Sequence, residues 1–193
     1  MQYIKHYNSP MGELLLTADE QGLTGLWIEE QKDMGFSPEP EHVEGDCPAL
    51  NKTIEGLDIY FEGRDPVFLP PIHLEGTDFR KVVWEILLEI PYGTTATYGG
   101  IAKQIAAKRG MARMSAQAVG GAVGHNPISI IVPCHRVVGA DGSLTGYTGG
   151  LDKKIKLLEI EGVDMSRFFV PKKGTALTAP KKGTALYNTS SKQ

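Results

Sequence analysis

Two adjacent prolines, Pro70-Pro71, sit inside the stretch 67–76 and forbid any helix from running through it. A proline inside a helix removes a backbone hydrogen bond and clashes with the preceding turn, and it pushes the residue before it toward extended backbone. The stretch therefore reads as a linker, and the chain divides there into an N-terminal unit over 1–75 and a second unit over 76–168. The two sides are patterned differently. Before the break, residues 3–7, 13–18 and 23–28 are short β-prone runs separated by Asn8-Ser9-Pro10-Met11-Gly12 and Asp19-Glu20-Gln21-Gly22, which predicts a three-stranded antiparallel meander. The acidic stretch 31–47 reads as a loop. Pro48 then opens a helix that Gly63 ends, with Leu50, Ile54, Leu57 and Phe61 on the face that covers the sheet.

After the break the period changes to that of helices. Thr77 can cap a helix in which Phe79, Val83, Ile86, Leu87 and Ile90 recur at helical spacing, and Pro91-Tyr92-Gly93 closes it. Thr97 can cap a second helix over 98–107, and Ser115 a third over 116–124. The third is nearly bald, with Ala116, Ala118, Gly120, Gly121 and Ala122. Two short helices joined by a turn suggest a helix-turn-helix whose second member approaches a partner closely; tight helix-on-helix packing would use the same small residues. After Asn126-Pro127, residues 128–132 read as a buried strand ending at Pro133-Cys134-His135-Arg136. A glycine-rich loop over 139–150 and a last helix over 151–160 follow. The fold class is α/β: a small N-terminal α/β domain with an antiparallel sheet, then a mostly helical C-terminal domain. Beyond residue 168, Pro171-Lys-Lys-Gly-Thr-Ala-Leu177 recurs as Pro180-Lys-Lys-Gly-Thr-Ala-Leu186, which predicts a basic, flexible tail over 169–193, since two copies of nine residues cannot build a solenoid.

Composition narrows the function classes. Of 193 residues 41% are hydrophobic and 22% charged, a globular balance that rules out disorder, collagen and coiled coil for most of the chain. The chain holds 2 cysteines, too few for a disulfide framework. Met1 leads directly into Gln2-Tyr3-Ile4-Lys5 without an apolar leader, and no apolar run is long enough to span a bilayer, so a cytoplasmic chain with no membrane partner is expected. The net charge of −3 conceals an asymmetry: residues 1–78 carry 4 basic and 16 acidic side chains, residues 79–160 carry 10 and 5, and residues 161–193 carry 6 and 2. Any nucleic-acid surface must therefore lie in the second half.

Cys134 taken alone reads as a small core hydrophobe rather than a nucleophile, because free cysteines are among the most buried residues. His135 and Arg136 alter the balance, because cationic neighbours lower a thiol pKa and polar residues after an apolar run are costly unless used. Adjacent strand residues face opposite ways, so His135 reaches Cys134 directly only if the chain turns there; otherwise a water bridges them. Zinc requires about four closely spaced ligands, and the 5 scattered histidines and 2 cysteines form no paired motif, so no metal is expected. A cysteine protease would need a distant histidine, and nothing singles out His6, His42, His73 or His125.

The stretch Ala118-Val-Gly-Gly-Ala-Val-Gly-His-Asn126-Pro-Ile-Ser-Ile-Ile-Val-Pro-Cys134-His-Arg-Val-Val-Gly carries more weight, together with Gly146-Tyr147-Thr148-Gly149-Gly150 and Glu161-Gly162 in the same order. Over about residues 77 to 162 the chain resembles the O6-alkylguanine-DNA alkyltransferase family, the methylated-DNA:protein-cysteine methyltransferases. The resemblance implies DNA repair by irreversible, single-turnover transfer of an alkyl group from O6 of guanine, with O4 of thymine as a further target, to Cys134. It implies His135 as the base acting through water, Glu161 as the group orienting the imidazole, and Tyr98 as the residue that protonates the departing guanine. Asn126 joins the recognition helix to the acceptor segment. Tyr147, Thr148 and Lys154 line the substrate pocket, an amide near Thr148 meets O6, and the carbonyls of Cys134 and Val137 accept from the guanine amine. Arg136, Ala118, Gly121, Gln117 and Arg113 belong to the DNA-facing set. The partner implied is double-stranded DNA bearing O6-alkylguanine, bound through its minor groove by a monomer with no cofactor, the target nucleotide being extruded from the stack.

The chain departs from the family pattern at Gln117, which stands where an arginine usually fills the space left by the flipped base. Arg113, four residues earlier, shares that face if the helix extends back so far. Two other classes remain distinguishable: a non-catalytic lesion-binding relative, which would replace the motif cysteine, and a helix-turn-helix regulator, which would gain no alkyl mass.

Overall fold

The computed structural model describes residues 1–28, 38–172 and 184–185. Strands β1 (Gln2–Ser9), β2 (Gly12–Ala18) and β3 (Leu23–Ile28) form the expected antiparallel meander, Tyr3 pairing with Ala18 and Leu14 with Ile28. The sheet is larger than the meander. A short strand, β4 (His42–Glu44), adds to β1 in parallel, giving the order β3-β2-β1-β4, so part of the stretch read as a loop is a sheet edge. Residues 31–37 of that loop lie outside the described residues.

Helix α1 (Pro48–Phe61) starts at its proline and covers the sheet through Leu50, Thr53, Leu57 and Tyr60. Ile54 and Phe61, expected on this face, are only half-buried. The linker does not hang free. The Leu23 amide donates to Pro71 O and the His73 amide to Leu23 O, while the Pro71 backbone lies so close to Gly22 that a Cβ there would stand 2.7 Å from it. The linker thus runs along the open edge of β3.

Thr77, Thr97 and Ser115 each accept a backbone hydrogen bond at the start of α2 (Asp78–Leu88), α3 (Tyr98–Lys108) and α4 (Ala116–Gly124). Between them Ala96–Thr97 (β5) pairs in parallel with Val137–Val138 (β6), which fixes the start of α3 beside the Cys134 segment. Helix α4 packs on α2 and α3 through Val119, Ala122 and Val123, and Trp84 Nε1 donates to Ala122 O at 2.9 Å. One continuous core links Leu14, Leu26 and Leu57 with Trp84, Ile105, Val119 and Val132.

Residues 128–132 are buried apart from the half-buried Ile131, but they do not form a strand. They bend in a turn, with an isolated bridge from Ile128 to Leu26 and Ile130 at a φ of +69°. A β-branched residue in that region is strained and persists only where its surroundings hold it. Helix α5 (Leu151–Ile160) follows the glycine-rich loop. Phe169–Val170 (β7) pairs antiparallel with Thr184–Ala185 (β8); the rest of the repeat-bearing tail, 173–183 and 186–193, lies outside the described residues. Among the described residues no helix is long and apolar enough to cross a membrane.

Candidate active site

The site grows out of the turn that replaces the expected strand. Asn126 follows the end of α4 and is buried, and its side chain knits the turn together: Oδ1 accepts from the Ile128 amide at 3.0 Å, and Nδ2 reaches Val132 O at 2.7 Å, Ile128 O at 3.3 Å and Cys134 Sγ at 3.1 Å. Four contacts from one amide hold the left-handed Ile130 in place and couple the end of α4 to the sulfur.

Cys134, His135 and Arg136 then form one turn of 3-10 helix rather than the end of a strand. Tight helical backbone removes the objection that neighbouring side chains must point apart. Cys134 is 6% exposed and His135 is fully buried. His135 Nε2 meets Glu161 Oε1 at 2.6 Å, which places the hydrogen on Nε2 and leaves Nδ1 as the acceptor. Nδ1 is buried and takes no protein partner among the described residues.

Glu161 ends α5, where a carboxylate would ordinarily face solvent, yet its side chain is fully buried. Only donors surround it. Oε1 accepts from His135 Nε2, from Tyr60 OH at 2.9 Å and from Arg136 Nη2 at 3.0 Å; Oε2 accepts from Arg136 Nε at 2.8 Å and from the Gly93 amide at 3.0 Å. Burial alone would raise its pKa, but the hydrogen bonds and charges of His135 and Arg136 outweigh that and hold it at about 2. Burial pushes the Cys134 thiol up, against the Asn126 amide and the Lys154 charge, and pushes His135 down against the pull of Glu161. The resting pair is therefore a neutral thiol beside a neutral imidazole, with a fixed anion behind the imidazole.

Arg136, grouped above with the DNA-facing residues, lies behind the histidine. Besides Glu161 it donates to Ile90 O at 2.5 Å, and its guanidinium stands 5.8 Å from the Tyr92 ring centre. Lys154 is also fully buried: its ammonium donates to Val137 O at 2.6 Å and Thr145 O at 2.8 Å, and burial lowers its pKa to about 8. Val137 O, expected to accept from a guanine amine, thus already accepts from Lys154. Tyr98 opens α3, and its hydroxyl donates to Thr145 O at 3.1 Å. Gly146, at a φ of +66°, passes so close to it that a Cβ would stand 2.9 Å from the phenol oxygen. Tyr147 is buried, and Thr148 Oγ1 donates to Gly124 O at 3.0 Å, tying the loop to the end of α4.

The exposed face of α4 carries Ala116, Gln117, Ala118 and Gly121. Arg113 is exposed too, but α4 begins at Ala116, so Arg113 sits in the preceding turn and not on the face of the helix. Tyr60 and the Gly93 amide were not anticipated from the sequence. A tyrosine at a core position of α1 carries only a packing signal, and a backbone amide carries none. Among the described residues no group of three or more His, Cys, Asp or Glu side chains could hold a metal.

Fold and site together define a small helix-turn-helix protein with a buried cysteine backed by a histidine and a carboxylate. Residues 78–163 match the family model for the 6-O-methylguanine DNA methyltransferase DNA binding domain, and residues 2–74 match that for its ribonuclease-like domain. The chain belongs to the 6-O-methylguanine DNA methyltransferase family. It is 45% identical over 161 residues to the methylated-DNA–protein-cysteine methyltransferase of Mycobacterium tuberculosis, covering 83% of this chain and 93% of the relative. It is 38% identical over 180 residues to that of Haemophilus influenzae, covering 92% and 93%. Among solved structures, Mycobacterium tuberculosis OGT in complex with DNA superposes with a TM-score of 0.72 at 43% identity, over 86% of this chain and 94% of the other.

Proposed function

We propose that this chain repairs duplex DNA by moving an alkyl group from O6 of guanine onto the Cys134 sulfur, once per molecule. The observation that carries the reading is the polar chain ending at that sulfur: a thiol held by Asn126, the adjacent His135 with Nδ1 unengaged, and Glu161 bound to the far nitrogen at 2.6 Å. The Cys134 proton passes to His135 Nδ1, through a bridging water, and the imidazolium is stabilised by the Glu161 anion. The thiolate sulfur forms the new S–C bond as the C–O6 bond breaks. The electron pair leaves on the guanine, which takes a proton from the Tyr98 hydroxyl, and the phenolate is then reprotonated from solvent. Lys154 supports the thiolate by its charge and shapes the pocket by holding the carbonyls of Val137 and Thr145.

A thioether has no activated carbonyl for water to attack, so the product is permanent and the reaction stops at one turnover. The small exposed face of α4 suits the minor groove, where Ala118 and Gly121 permit close approach and Gln117 takes the gap left by the extruded base. One chain suffices, since every group of the relay comes from it. The test follows the DNA: a duplex carrying one O6-methylguanine is mixed with limiting protein and the restored guanine is counted. The reading requires at most one restored guanine per chain and none with Cys134→Ser; repair beyond that ratio, or repair by Cys134→Ser, overturns it.

A further inference from the structure

Glu161 Oε1 is shared. His135 Nε2 reaches it at 2.6 Å and Tyr60 OH donates to it at 2.9 Å, so the two donors crowd to within 3.5 Å of each other. Tyr60 comes from α1, 101 residues before Glu161 and on the other side of the proline linker. Its place is well fixed. The residue is 3% exposed, and its ring meets those of Phe61, Tyr92 and His135 edge-on at centroid distances of 5.4, 5.9 and 6.5 Å. Burial, reinforced by the Glu161 charge, keeps the hydroxyl far above its ordinary pKa, so it serves as a donor and never as a base.

A carboxylate oxygen that accepts from two donors holds each less strongly than it would hold one, because each bond withdraws charge from the oxygen the other uses. Protonation of His135 at Nδ1 strengthens its pull on Oε1, and the tyrosine is the competitor for that oxygen. Among the described residues, Arg136 on its own turn and Lys154 on α5 act on the His135 charge, while Tyr92 after α2 lies against Arg136 and Tyr147 in the pocket loop faces Cys134. Arg136 also donates to Oε1, but its second bond to Oε2 and its bond to Ile90 O tie it to the scaffold.

We propose that Tyr60 is a positioning residue for alkyl transfer: through Glu161 Oε1 it weakens the carboxylate's hold on the His135 imidazolium and so sets the pH range in which His135 can take the Cys134 proton. The inference rests on the His135–Glu161 relay described above. It makes the N-terminal unit, which holds no other group of the relay, a determinant of when the acceptor fires.

The test is the pH profile of single-turnover transfer from free O6-benzylguanine, which needs no base extrusion, measured on the full chain. Tyr60→Phe keeps the ring and its edge-on contacts and removes only the donor. Its acid-side midpoint should move up by about half to one pH unit, while the plateau rate changes less than about threefold. The imidazole of His135, followed by ¹⁵N NMR in the same two proteins, should titrate higher by the same amount, a readout that needs no turnover. Superimposable profiles and titrations, or a uniform loss of rate at every pH, would show that the hydroxyl only packs and would overturn the proposal. His135→Ala separates the two claims: if it retains the wild-type acid limb, the relay itself is wrong and the tyrosine's role falls with it.

Discussion

Replacing Glu161 by glutamine tests the buried anion through both stability and rate. Every group facing the carboxylate is a donor, so a glutamine amide must turn its NH₂ toward donors whichever way it is placed: toward His135, Tyr60 and Arg136 in one orientation, or toward Arg136 and Gly93 in the other. A carboxyl held at about 2 rather than its ordinary 4.5 contributes about 3 kcal/mol of folding stability at neutral pH, at about 1.4 kcal/mol per pH unit. Each donor left unpaired adds about 1 to 3 kcal/mol, part of it overlapping the first figure. The sign follows from the depressed pKa. The contribution is fully present above 4.5 and is lost as pH falls from 4.5 through about 2. Urea unfolding should therefore show Glu161→Gln less stable than wild type by about 3 kcal/mol or more at pH 7, with the gap narrowing below pH 4.5. Transfer should slow by roughly 10²- to 10⁴-fold, the range of a lost general base. Equal stability at pH 7, or a gap that does not change with acid, would mean that the carboxylate is not held as an anion by these donors.

Asn126→Ala removes the amide that ties Ile128, Val132 and Cys134 together, and should cost about 2 to 3 kcal/mol in urea unfolding; a loss below about 0.5 would mean that the turn holds Ile130 without it. Lys154→Met removes the buried ammonium that opposes the rise of the thiol pKa, and should slow transfer at pH 7 by at least about tenfold. In wild type the cost of burying that charge disappears as pH rises from about 8 toward 10.5, so this side chain's contribution to stability improves over that window, and Lys154→Met should lose that trend. Gln117→Arg should raise the rate or affinity on methylated duplex and leave reaction with free O6-benzylguanine unchanged, while Gln117→Ala lowers the duplex rate; equal duplex rates for all three would move the gap-filling role to another residue, Arg113 being the nearest cation in sequence.

The parts of the fold that were legible in the sequence are those with local signals. Thr77, Thr97 and Ser115 announce α2, α3 and α4 because a cap is a contact between neighbours in the chain. Strand β4 went unseen because parallel pairing of His42–Glu44 with β1 joins segments about 40 residues apart and leaves no alternation in three exposed residues. Residues 128–132 misled in the opposite sense: an apolar β-branched run reads as strand, and the turn is dictated by the Asn126 side chain and by backbone bonds to Leu26. Cys134, His135 and Glu161 were found from the motif, not from geometry. Tyr60, the Gly93 amide and the burial of Lys154 are products of tertiary packing, and no spacing in the chain encodes them.

If Cys134 is the acceptor, it keeps the alkyl group as a thioether. Intact-mass spectrometry after reaction with duplex O6-methylguanine, followed by peptide mapping, tests it on the protein itself. One added methyl per chain is expected, on the peptide containing Cys134 and absent from that containing Cys47, with the mass unchanged on longer incubation in excess DNA. An unmodified chain after the lesion has been repaired, more than one methyl, or a methyl on any other residue would contradict it.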